Sequence, residues 1–443
     1  MDLVLGARTL VMAIVNATDD SFSGDGVGDD LARVRALGER ALVEGADLID
    51  VGAASSRPGH GEVAPEVERR RAVAVVGALT DLGLPLSIDS TVPEVIEAAL
   101  AAGASLANDV SGLRDPRIAE LAAARGAWLI ICHSAPSPRT AAERERQPEA
   151  VVDEVRTALA AARARAEAAG VAADRVILDP GLGFAKTAAE SFALLGAVER
   201  LRELGPLLVG PSRKRHLGVA TARPVGGRTF ATAAAVACAA LAGVELVRVH
   251  DVGPMVDVAR TADAIRRGLP ADRRVAYVGL GANLGDRRAA LRRALLGLAR
   301  LGTVRGVSGL WETAPQLVAE QPPFLNAAVA IELGAARPAE VVDALKRIEA
   351  GLGRVERARY GPREIDLDLL LFAGARAVER DGPVVVPHER LAERRFALAP
   401  LAELAPDEID PRTGERIAEL CERVAAQPAR RIEGSEWWTI ASS

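Results

Sequence analysis

Two carboxylates in the segment RYGPREIDLDLLLF have a spacing that could hold a metal ion. Asp366 and Asp368 are two residues apart on a predicted strand, so both project to one face. Two carboxylates on a rigid face can bind Mg²⁺, which bridges to nucleotide phosphates. An isolated pair is more often a solvated strand face, but here four arginines precede it: Arg354, Arg357, Arg359 and Arg363. Clustered arginines suit the charge of a triphosphate undergoing transfer.

A second set of polar residues ends eight short apolar runs in the N-terminal half. The runs cover residues 10–16, 48–52, 85–89, 106–110, 128–133, 176–180, 207–214 and 246–251. Their polar residues are Asn16, Asp50, Asp89, Asn108, Asp109, His133, Asp179, Ser212, Arg213, Lys214, Arg248, His250 and Asp251. Ala-rich helical stretches such as 150–168 lie between runs too apolar to be half-exposed strands. The pattern predicts an α/β TIM (βα)8 barrel with its active site at the carboxyl ends of the strands.

Three of these residues end runs that should be buried inside the barrel, namely Asp89, Asn108 and Asp179. Each side chain there needs a partner or a ligand, and several facing one pocket suit a flat heterocycle with N–H donors. The alternative is that they bind neighbouring backbone, but three on separate strands favour a site. Lys214 and Arg248 add two cationic side chains at the open end of the same predicted pocket. Carboxylates deep in the site and cations near its rim predict a polar ring with an attached phosphate or pyrophosphate.

Two loops follow the first two apolar runs. Asn16 opens NATDDSFSGDG, which is predicted to be a mobile, solvent-facing loop. Ser55, Ser56 and Arg57 lie among glycines in VGAASSRPGHG, where the backbone can come close to an anion. An ordinary turn and a solvated arginine are the alternative interpretations of these segments.

Composition describes an ordinary soluble protein. Of the 443 residues, 49% are hydrophobic and 26% charged, and the net charge of −5 predicts no whole-chain attraction to nucleic acid or anionic membrane. The three cysteines have no metal-binding spacing, which favours a reducing cytoplasm. The N-terminus lacks a signal-peptide pattern, and no tract is long and apolar enough for a membrane span. We therefore expect a cytoplasmic protein.

The chain is too long for one barrel, which uses roughly 250 residues. The segment GLPADRR follows a predicted helix over 254–267, and this places a barrel domain over residues 1–270 and a second domain over 274–435. The second domain is predicted as strand 275–280, helix 287–298, strands 304–311 and 326–331, helix 338–352, strand 365–372 and a helix-rich tail. This order is that of an α+β ferredoxin-like domain. VGLGANLGDR is an unlikely dinucleotide motif because Leu284 replaces its third glycine.

The barrel motifs resemble those of dihydropteroate synthase across residues 1–270. NATDDSFSGDG, GADLIDVGAASSRPG, SIDS, NDVSG, LDPGLGFAKT, GPSRK and VRVHDV follow that family's order. The resemblance implies that Asn16 lies near Mg²⁺ and pyrophosphate, and that Arg248 and His250 bind pyrophosphate. It implies a pterin and p-aminobenzoate site with these further residues: Ser55, Ser56, Arg57, Asp89, Asn108, Asp179, Phe184, Ser212 and Lys214. Lys214 and Arg248 are the catalytic candidates of this domain.

The second domain resembles 6-hydroxymethyl-7,8-dihydropterin pyrophosphokinase from about residue 274 to 410. GLGANLGD, WETAPQLVAEQPPFLNAAV, GRVERARYGPREIDLDLLLF and VVVPHERLAERRFALAPL follow that family's order. The resemblance implies two Mg²⁺ on Asp366 and Asp368, and Arg354 and Arg363 as catalytic groups on the transferring diphosphate. It implies that His388 and Arg394 contact ATP. Phe324, Asn326 and Phe396 would bind and stack the pterin.

Both resemblances include departures from the usual family pattern. In the barrel, Ala53 and Ala54 replace Gly and Glu, Ser56 replaces Thr, and Cys132 replaces Met. In the second domain, Lys346 stands where a neutral group is expected, and Trp311 replaces Tyr. We expect the activity of the second domain to survive its changes. In the barrel, none of the departures removes a residue assigned to pterin or pyrophosphate, but they alter a loop of the site, and a barrel with altered function is the alternative.

Together the resemblances imply a bifunctional transferase of folate biosynthesis. One domain transfers diphosphate from ATP to 6-hydroxymethyl-7,8-dihydropterin, and the other condenses the product with p-aminobenzoate. A homodimer through the barrel helices is also implied. Two alternatives remain at this point: a pyrophosphokinase fused to a non-catalytic pterin-binding or structural barrel, and a barrel oxidoreductase with a nucleotide-binding tail.

Overall fold

The computed structural model describes residues 3–16, 31–53, 64–134, 147–268, 273–315, 321–355 and 361–439. The chain divides into two compact units, Met1–Leu269 and Pro270–Ser443. Among the described residues, no helix is both long and apolar enough to cross a membrane.

The first unit is a parallel barrel. Its strands are β1 (Leu10–Asn16), β2 (Leu48–Gly52), β3 (Leu86–Asp89), β4 (Leu106–Asp109), β5 (Trp128–Cys132), β6 (Val176–Asp179), β7 (Leu208–Val209) and β8 (Leu246–Val249). They follow the order β6-β5-β4-β3-β2-β1-β8-β7, and a parallel bridge between Leu178 and Leu207 brings β6 and β7 together. The predicted barrel is therefore confirmed.

Helices cover the outside of this barrel. They are α1 (Leu31–Val43), α2 (Pro65–Leu79), α3 (Pro93–Ala101), α4 (Arg117–Arg125), α5 (Ala150–Ala168), α6 (Ala188–Gly196), α7 (Val198–Arg202), α8 (Arg215–Thr221), α9 (Thr229–Leu241) and α10 (Val252–Arg267). Local sequence sets several of their starts. Pro65 and Pro93 lie in the first turns of their helices, where a missing N–H costs nothing. Thr187 and Glu190 form a capping box that begins α6 just after the loop that follows β6.

The second unit is built on one antiparallel sheet. Its elements are β9 (Arg274–Ala282), α11 (Arg287–Leu301), β10 (Thr303–Val307), β11 (Leu310–Thr313), β12 (Phe324–Leu333), α12 (Pro338–Gly351), β13 (Asp366–Phe372), β14 (Glu379–Asp381), β15 (Val384–Val386), α13 (Arg395–Leu404), α14 (Ile417–Arg423) and β16 (Ala429–Glu433). The sheet order is β13-β9-β12-β11-β16, and β10 also pairs with β12. The predicted ferredoxin-like arrangement is confirmed.

Two details of the second unit differ from the sequence prediction. The strand expected over 304–311 is two strands, β10 and β11, interrupted at Ser308 and Gly309. The expected helix-rich tail also contains a strand, β16, which pairs with β11. A Cβ atom on Gly309 would lie 2.7 Å from the carbonyl oxygen of Glu433, so glycine permits this close pairing. Trp437 is buried beyond β16 and donates a hydrogen bond to the carbonyl of Ser308 at 3.0 Å.

Candidate active sites

A polar layer lies above an apolar floor inside the barrel. The inward-facing floor includes Leu48, Leu106, Ile177 and Leu246, which belong to one buried cluster. Because side chains alternate along a strand, the residues two positions further along face the same interior. These residues are Asp50, Asn108, Asp179 and Arg248. The alternate strands β2, β4, β6 and β8 therefore place four polar groups at one level.

Hydrogen bonds join most of this layer to Asp89. Arg248 donates from Nε to Asp50 Oδ2 at 2.6 Å and from Nη2 to Asp89 Oδ2 at 3.1 Å. Asn108 Nδ2 lies 3.3 and 3.2 Å from the two Asp50 oxygens. The expectation of cations at the rim is thus wrong for Arg248, since its guanidinium lies among the carboxylates. The reason is its strand position, which is level with Asp50 rather than beyond the strand end.

Burial, and to a lesser extent the nearby carboxylate of Asp50, raises the pKa of Asp89 to about 7. The guanidinium of Arg248 opposes this shift. Asp89 can therefore change its charge near neutral pH, unlike an ordinary aspartate with a pKa near 4. A carboxyl with such a pKa in a binding site can accept hydrogen bonds once it is ionised.

A second charged pair lies on the opposite side of the layer. Burial raises the pKa of Asp179 and lowers that of Lys214, while each group favours the charged form of the other. Asp179 also accepts a hydrogen bond from the backbone N–H of Gly181 at 2.7 Å. The ammonium of Lys214 lies 4.9 Å from the centre of the Phe184 ring, which is within the range of a cation–π contact.

The remaining barrel candidates lie at strand ends. His250 Nδ1 and Ser212 Oγ are 2.9 Å apart, and Ser212 Oγ also accepts the His250 backbone N–H at 3.1 Å, so the serine fixes the imidazole. Asn16 ends β1 beside Gly52 and is half-buried. The candidates Ser55, Ser56 and Arg57 lie outside the described residues.

Two barrel residues with clear structural connections were given no role in the predicted site, although Asp50 was noted among the polar residues of the apolar runs. Asp50 is bonded to both Asn108 and Arg248, and its signal was an acidic residue in the middle of the apolar run LIDVG. Lys186 donates to the carbonyls of His133, Gly181 and Phe184, and thereby fixes the loop after β6. Nothing in the local sequence distinguishes Lys186 from a solvated lysine.

The second unit contains a cavity of about 270 Å³. It is lined by every site residue that the family resemblance implied for this domain except Arg354: Phe324, Asn326, Arg363, Asp366, Asp368, His388, Arg394 and Phe396. This size is slightly below the usual range of small-molecule sites, which begins near ~300 Å³. The structure thus brings together residues that are up to 72 positions apart, from Phe324 to Phe396.

Strand register explains how the cavity is arranged. Gly281 of β9 pairs with Asp366 on one side and with Asn326 on the other. A Cβ atom on Gly281 would lie 3.1 Å from Asn326 Oδ1, so glycine keeps the floor between them open. The amide and the first carboxylate are thus separated by two strand spacings, or about 9–10 Å. Gly279 and Gly281 lie within β9 and not in a loop between a strand and a helix, which excludes the phosphate-binding loop of a dinucleotide fold.

Both predicted arginines contact the first carboxylate. Arg354 Nη1 is 2.8 Å from Asp366 Oδ1, and Arg363 forms an ion pair with Asp366 Oδ2. Arg354 also pairs with the buried Glu349, which accepts the backbone N–H of Leu367 at 2.7 Å. The cationic groups are therefore fixed beside the carboxylates, close to any phosphate that enters the cavity. Arg357 and Arg359 lie outside the described residues.

The second carboxylate lies close to an imidazole. Burial raises the pKa of Asp368, and neighbouring Asp366 adds to this rise while His388 opposes it. Burial lowers the pKa of His388, and the charge of Asp368 opposes that shift. A cation bound between the two carboxylates would relieve their repulsion.

Sequence reasoning missed Asn283, which lies in the rejected GLGAN motif. Its Oδ1 accepts the Arg363 backbone N–H at 2.7 Å, and its Nδ2 donates to Gln321 Oε1 at 3.2 Å. Asn283 therefore fixes the segment that presents Arg363. The family departures also have local partners: Lys346 pairs with Glu349, and Trp311 Nε1 donates to Glu403 at 2.7 Å.

Comparison with known proteins identifies the first unit. A family model described as pterin binding enzyme matches residues 12–250, more than half of the chain. The chain belongs to this family. Dihydropteroate synthase of Mycobacterium leprae is 43% identical over 267 residues, which cover 58% of this chain and 94% of that protein. A solved structure of Xanthomonas albilineans dihydropteroate synthase with 4-aminobenzoic acid has 40% identity and a TM-score of 0.54, and the match covers 60% of this chain and 95% of that one.

One of the similar proteins is named as a bifunctional enzyme with a different second activity. A probable bifunctional folylpolyglutamate synthase/dihydropteroate synthase of Halobacterium salinarum is 42% identical over 268 residues, which cover 60% of this chain. Those residues cover 33% of the Halobacterium protein, so this chain spans a third of its length.

The second unit has its own family match. A model for 7,8-dihydro-6-hydroxymethylpterin-pyrophosphokinase matches residues 277–406. The chain thus joins a dihydropteroate synthase domain to a pyrophosphokinase domain, and both resemblances noted in the sequence are confirmed. The matches support two transferase activities, and they do not support a non-catalytic barrel.

Proposed function

We propose that the second unit transfers diphosphate from ATP to 6-hydroxymethyl-7,8-dihydropterin, giving AMP. The barrel then joins the resulting diphosphate to p-aminobenzoate, giving 7,8-dihydropteroate and pyrophosphate. The observation that carries this proposal is that each matched domain brings amide or carboxylate acceptors together with cationic side chains. Such a combination suits a pterin bearing a diphosphate.

In the pyrophosphokinase domain, Asn326 would bind the pterin, with Phe324 and Phe396 on its ring faces. The donor set of Asp366 and Asp368 fits Mg²⁺, because the two carboxylates lie on one strand face and both line the cavity. Bound there, Mg²⁺ would neutralise phosphate charge. The separation of Asn326 from Asp366 by two strand spacings leaves room for the ring between the amide and the phosphates.

The transfer is an in-line displacement at the β-phosphorus of ATP. The pterin hydroxymethyl oxygen forms a bond to this phosphorus and loses its proton to solvent. The bond from the β-phosphorus to the oxygen that bridges to the α-phosphate breaks, and AMP departs with that oxygen. Arg354 and Arg363 pair with Asp366 and would stabilise the negative charge that develops during transfer. His388 and Arg394 would contact ATP. No covalent enzyme intermediate is needed.

In the synthase domain, Asp89, Asn108 and Asp179 would accept hydrogen bonds from the pterin, beside Lys214. Arg248 and His250 would bind the leaving pyrophosphate, and the amide oxygen of Asn16 would be a ligand of its Mg²⁺. The bond between the methylene carbon and oxygen breaks, and the amine of p-aminobenzoate forms the new C–N bond and loses a proton. We infer that C–O cleavage runs ahead of amine attack.

The test of this assignment separates the two activities. Purified full-length protein receives premade hydroxymethyldihydropterin diphosphate, Mg²⁺ and labelled p-aminobenzoate without ATP. Labelled dihydropteroate is the expected product, and its formation should depend on Lys214. A second reaction with ATP and hydroxymethyldihydropterin should release AMP. Folded protein that releases AMP but forms no dihydropteroate would refute the synthase assignment.

Pterin binding to the barrel should strengthen as the pH rises from about 6 to 8, with a midpoint near the Asp89 pKa of about 7. The sign follows because the ionised carboxylate accepts hydrogen bonds that the protonated form accepts less well. Titration calorimetry with the pterin diphosphate at several pH values measures this effect. Asp89→Asn has no carboxyl to titrate at this position, so the contribution of the protein to the pH dependence of pterin affinity should disappear. The same pH dependence in the variant and the wild type would contradict the prediction.

We propose that the barrel forms a homodimer through α9. The outward positions of this helix are all apolar or weakly polar: Phe230, Ala234, Cys238 and Leu241. Phe230 is 90% exposed, and a helix that is apolar on every side is normally buried. Phe230→Glu should yield a monomer in sedimentation velocity, whereas Val4→Glu at another exposed apolar position should not. A wild-type monomer at micromolar concentration would refute the proposal.

We also propose a cytoplasmic location and small-molecule substrates alone. Three free cysteines and the net charge of −5 support this assignment.

A further inference from the structure

We propose that Asp50 is the positioning residue of the synthase site, which orients Arg248 and Asn108 without touching substrate itself. This inference rests on the proposed synthase function and adds a residue that neither the motifs nor the family matches assign. Three observations support it: the enclosure of the carboxylate, the orientation that it imposes on an amide, and the division of one guanidinium between two carboxylates.

The Asp50 carboxylate is fully enclosed by the barrel. It lies in the middle of β2, with β1 and β3 paired on either side, and its side chain is 0% exposed. A charge enclosed to this extent requires a cation and hydrogen-bond donors, because desolvation otherwise forces its neutralisation. Arg248 supplies the cation and Asn108 supplies N–H donors.

The carboxylate determines which way the Asn108 amide points. A carboxylate oxygen only accepts hydrogen bonds, and Asn108 lies 3.2 and 3.3 Å from the two Asp50 oxygens. The amide nitrogen must therefore face Asp50, since the reversed amide would place three acceptors together. The carbonyl oxygen of Asn108 is consequently turned away from Asp50, where it can accept an N–H group of the pterin.

The guanidinium of Arg248 contacts two carboxylates that differ in their accessibility to a ligand. Its Nε donates to Asp50 at 2.6 Å, while its Nη2 donates to Asp89 at 3.1 Å. The Asp89 side chain is 11% exposed and Asp50 is fully enclosed, so an entering ligand can reach the Asp89 contact but not the Asp50 contact. Asp50 therefore holds the plane of the guanidinium while its Nη groups change partners.

The test compares two isosteric substitutions of fully buried aspartates on barrel strands. Asp50→Asn should lower synthase kcat/KM by about 10- to 100-fold, the usual effect of removing a group that orients a ligand-binding residue. It should also weaken binding of Mg²⁺-pyrophosphate, measured by calorimetry, because Arg248 loses its fixed orientation. Asp109→Asn is the matched control, since within the described part of the chain Asp109 accepts backbone N–H groups, those of Ser111 at 3.0 Å and of Leu113.

Three outcomes distinguish positioning from general destabilisation. Both variants should melt earlier, but only Asp50→Asn should lose pyrophosphate affinity. The effect of Asp50→Asn should shrink in an Arg248→Lys background, because there is no guanidinium left to orient. Equal losses of kcat/KM and affinity in the two aspartate variants, or a full effect in the lysine background, would overturn the proposal.

A further variant covers the case in which Asp50→Asn does not fold. Asp50→Glu keeps the charge but displaces the carboxylate by one methylene, so a folded variant should still lose kcat/KM by about tenfold or more. A folded glutamate variant with full activity would also overturn the proposal. Failure of the proposed synthase function would give a different result. In that case the wild-type protein itself would form no dihydropteroate and bind no pyrophosphate.

Discussion

Asp366→Asn is expected to lower kcat for ATP-dependent diphosphate transfer by about 10³-fold, the effect of removing one group that organises charge at a transferring phosphoryl. Asp366 contacts both catalytic arginines and shares a strand face with Asp368. Its neutral amide would bind Mg²⁺ weakly and would leave Arg354 without one of its carboxylate partners. AMP release at saturating ATP and pterin is the measurement.

Two controls accompany this variant. Asp343→Asn removes an exposed carboxylate on α12 of the same unit and should leave AMP release unchanged. The synthase reaction of the Asp366→Asn chain, supplied with premade pterin diphosphate, should also remain at the wild-type rate. A rate of AMP release near wild type would show that Asp366 does not organise the transferring phosphates.

Arg248→Lys is expected to lower synthase kcat/KM by about 10²-fold, because it retains the charge but loses the planar group that bridges two carboxylates. The guanidinium contacts Asp50 and Asp89 through different nitrogen atoms, and a single ammonium cannot reproduce that geometry. Arg248→Ala should reduce activity further and destabilise the barrel by about 3–5 kcal/mol, because Asp50 would remain buried without its cation.

The measurement is dihydropteroate formation from premade pterin diphosphate, with thermal unfolding of the same samples. Arg117→Ala, which removes an arginine on the surface helix α4, should have little effect on either quantity. AMP release should be unchanged in every Arg248 variant, since that activity belongs to the other unit. If Arg248→Lys retained wild-type kcat/KM, the assigned contact with the leaving diphosphate would be wrong.

The sequence by itself determined the order and type of the main elements. Apolar runs such as LVMAIVN and WLIIC are typical of parallel strands that are buried on both faces, and the helical segments between them favour a closed barrel. The period of two along β13 also placed Asp366 and Asp368 on one face. The strand β16 escaped prediction because its residues ARRIE are mostly exposed and show no apolar pattern, and the strand is defined by its pairing with β11.

Only the tertiary structure decided which polar groups meet and which way they point. Arg248 and Asp50 are 198 residues apart, and their ion pair exists because alternate strands of a closed barrel bring side chains to one level. In the second unit, pairing across Gly281 sets the separation of Asn326 from Asp366. Local sequence encodes strand period and turn chemistry, but it does not encode register between distant strands. Register is fixed by burial of the whole sheet, so the geometry of both sites is a property of the fold.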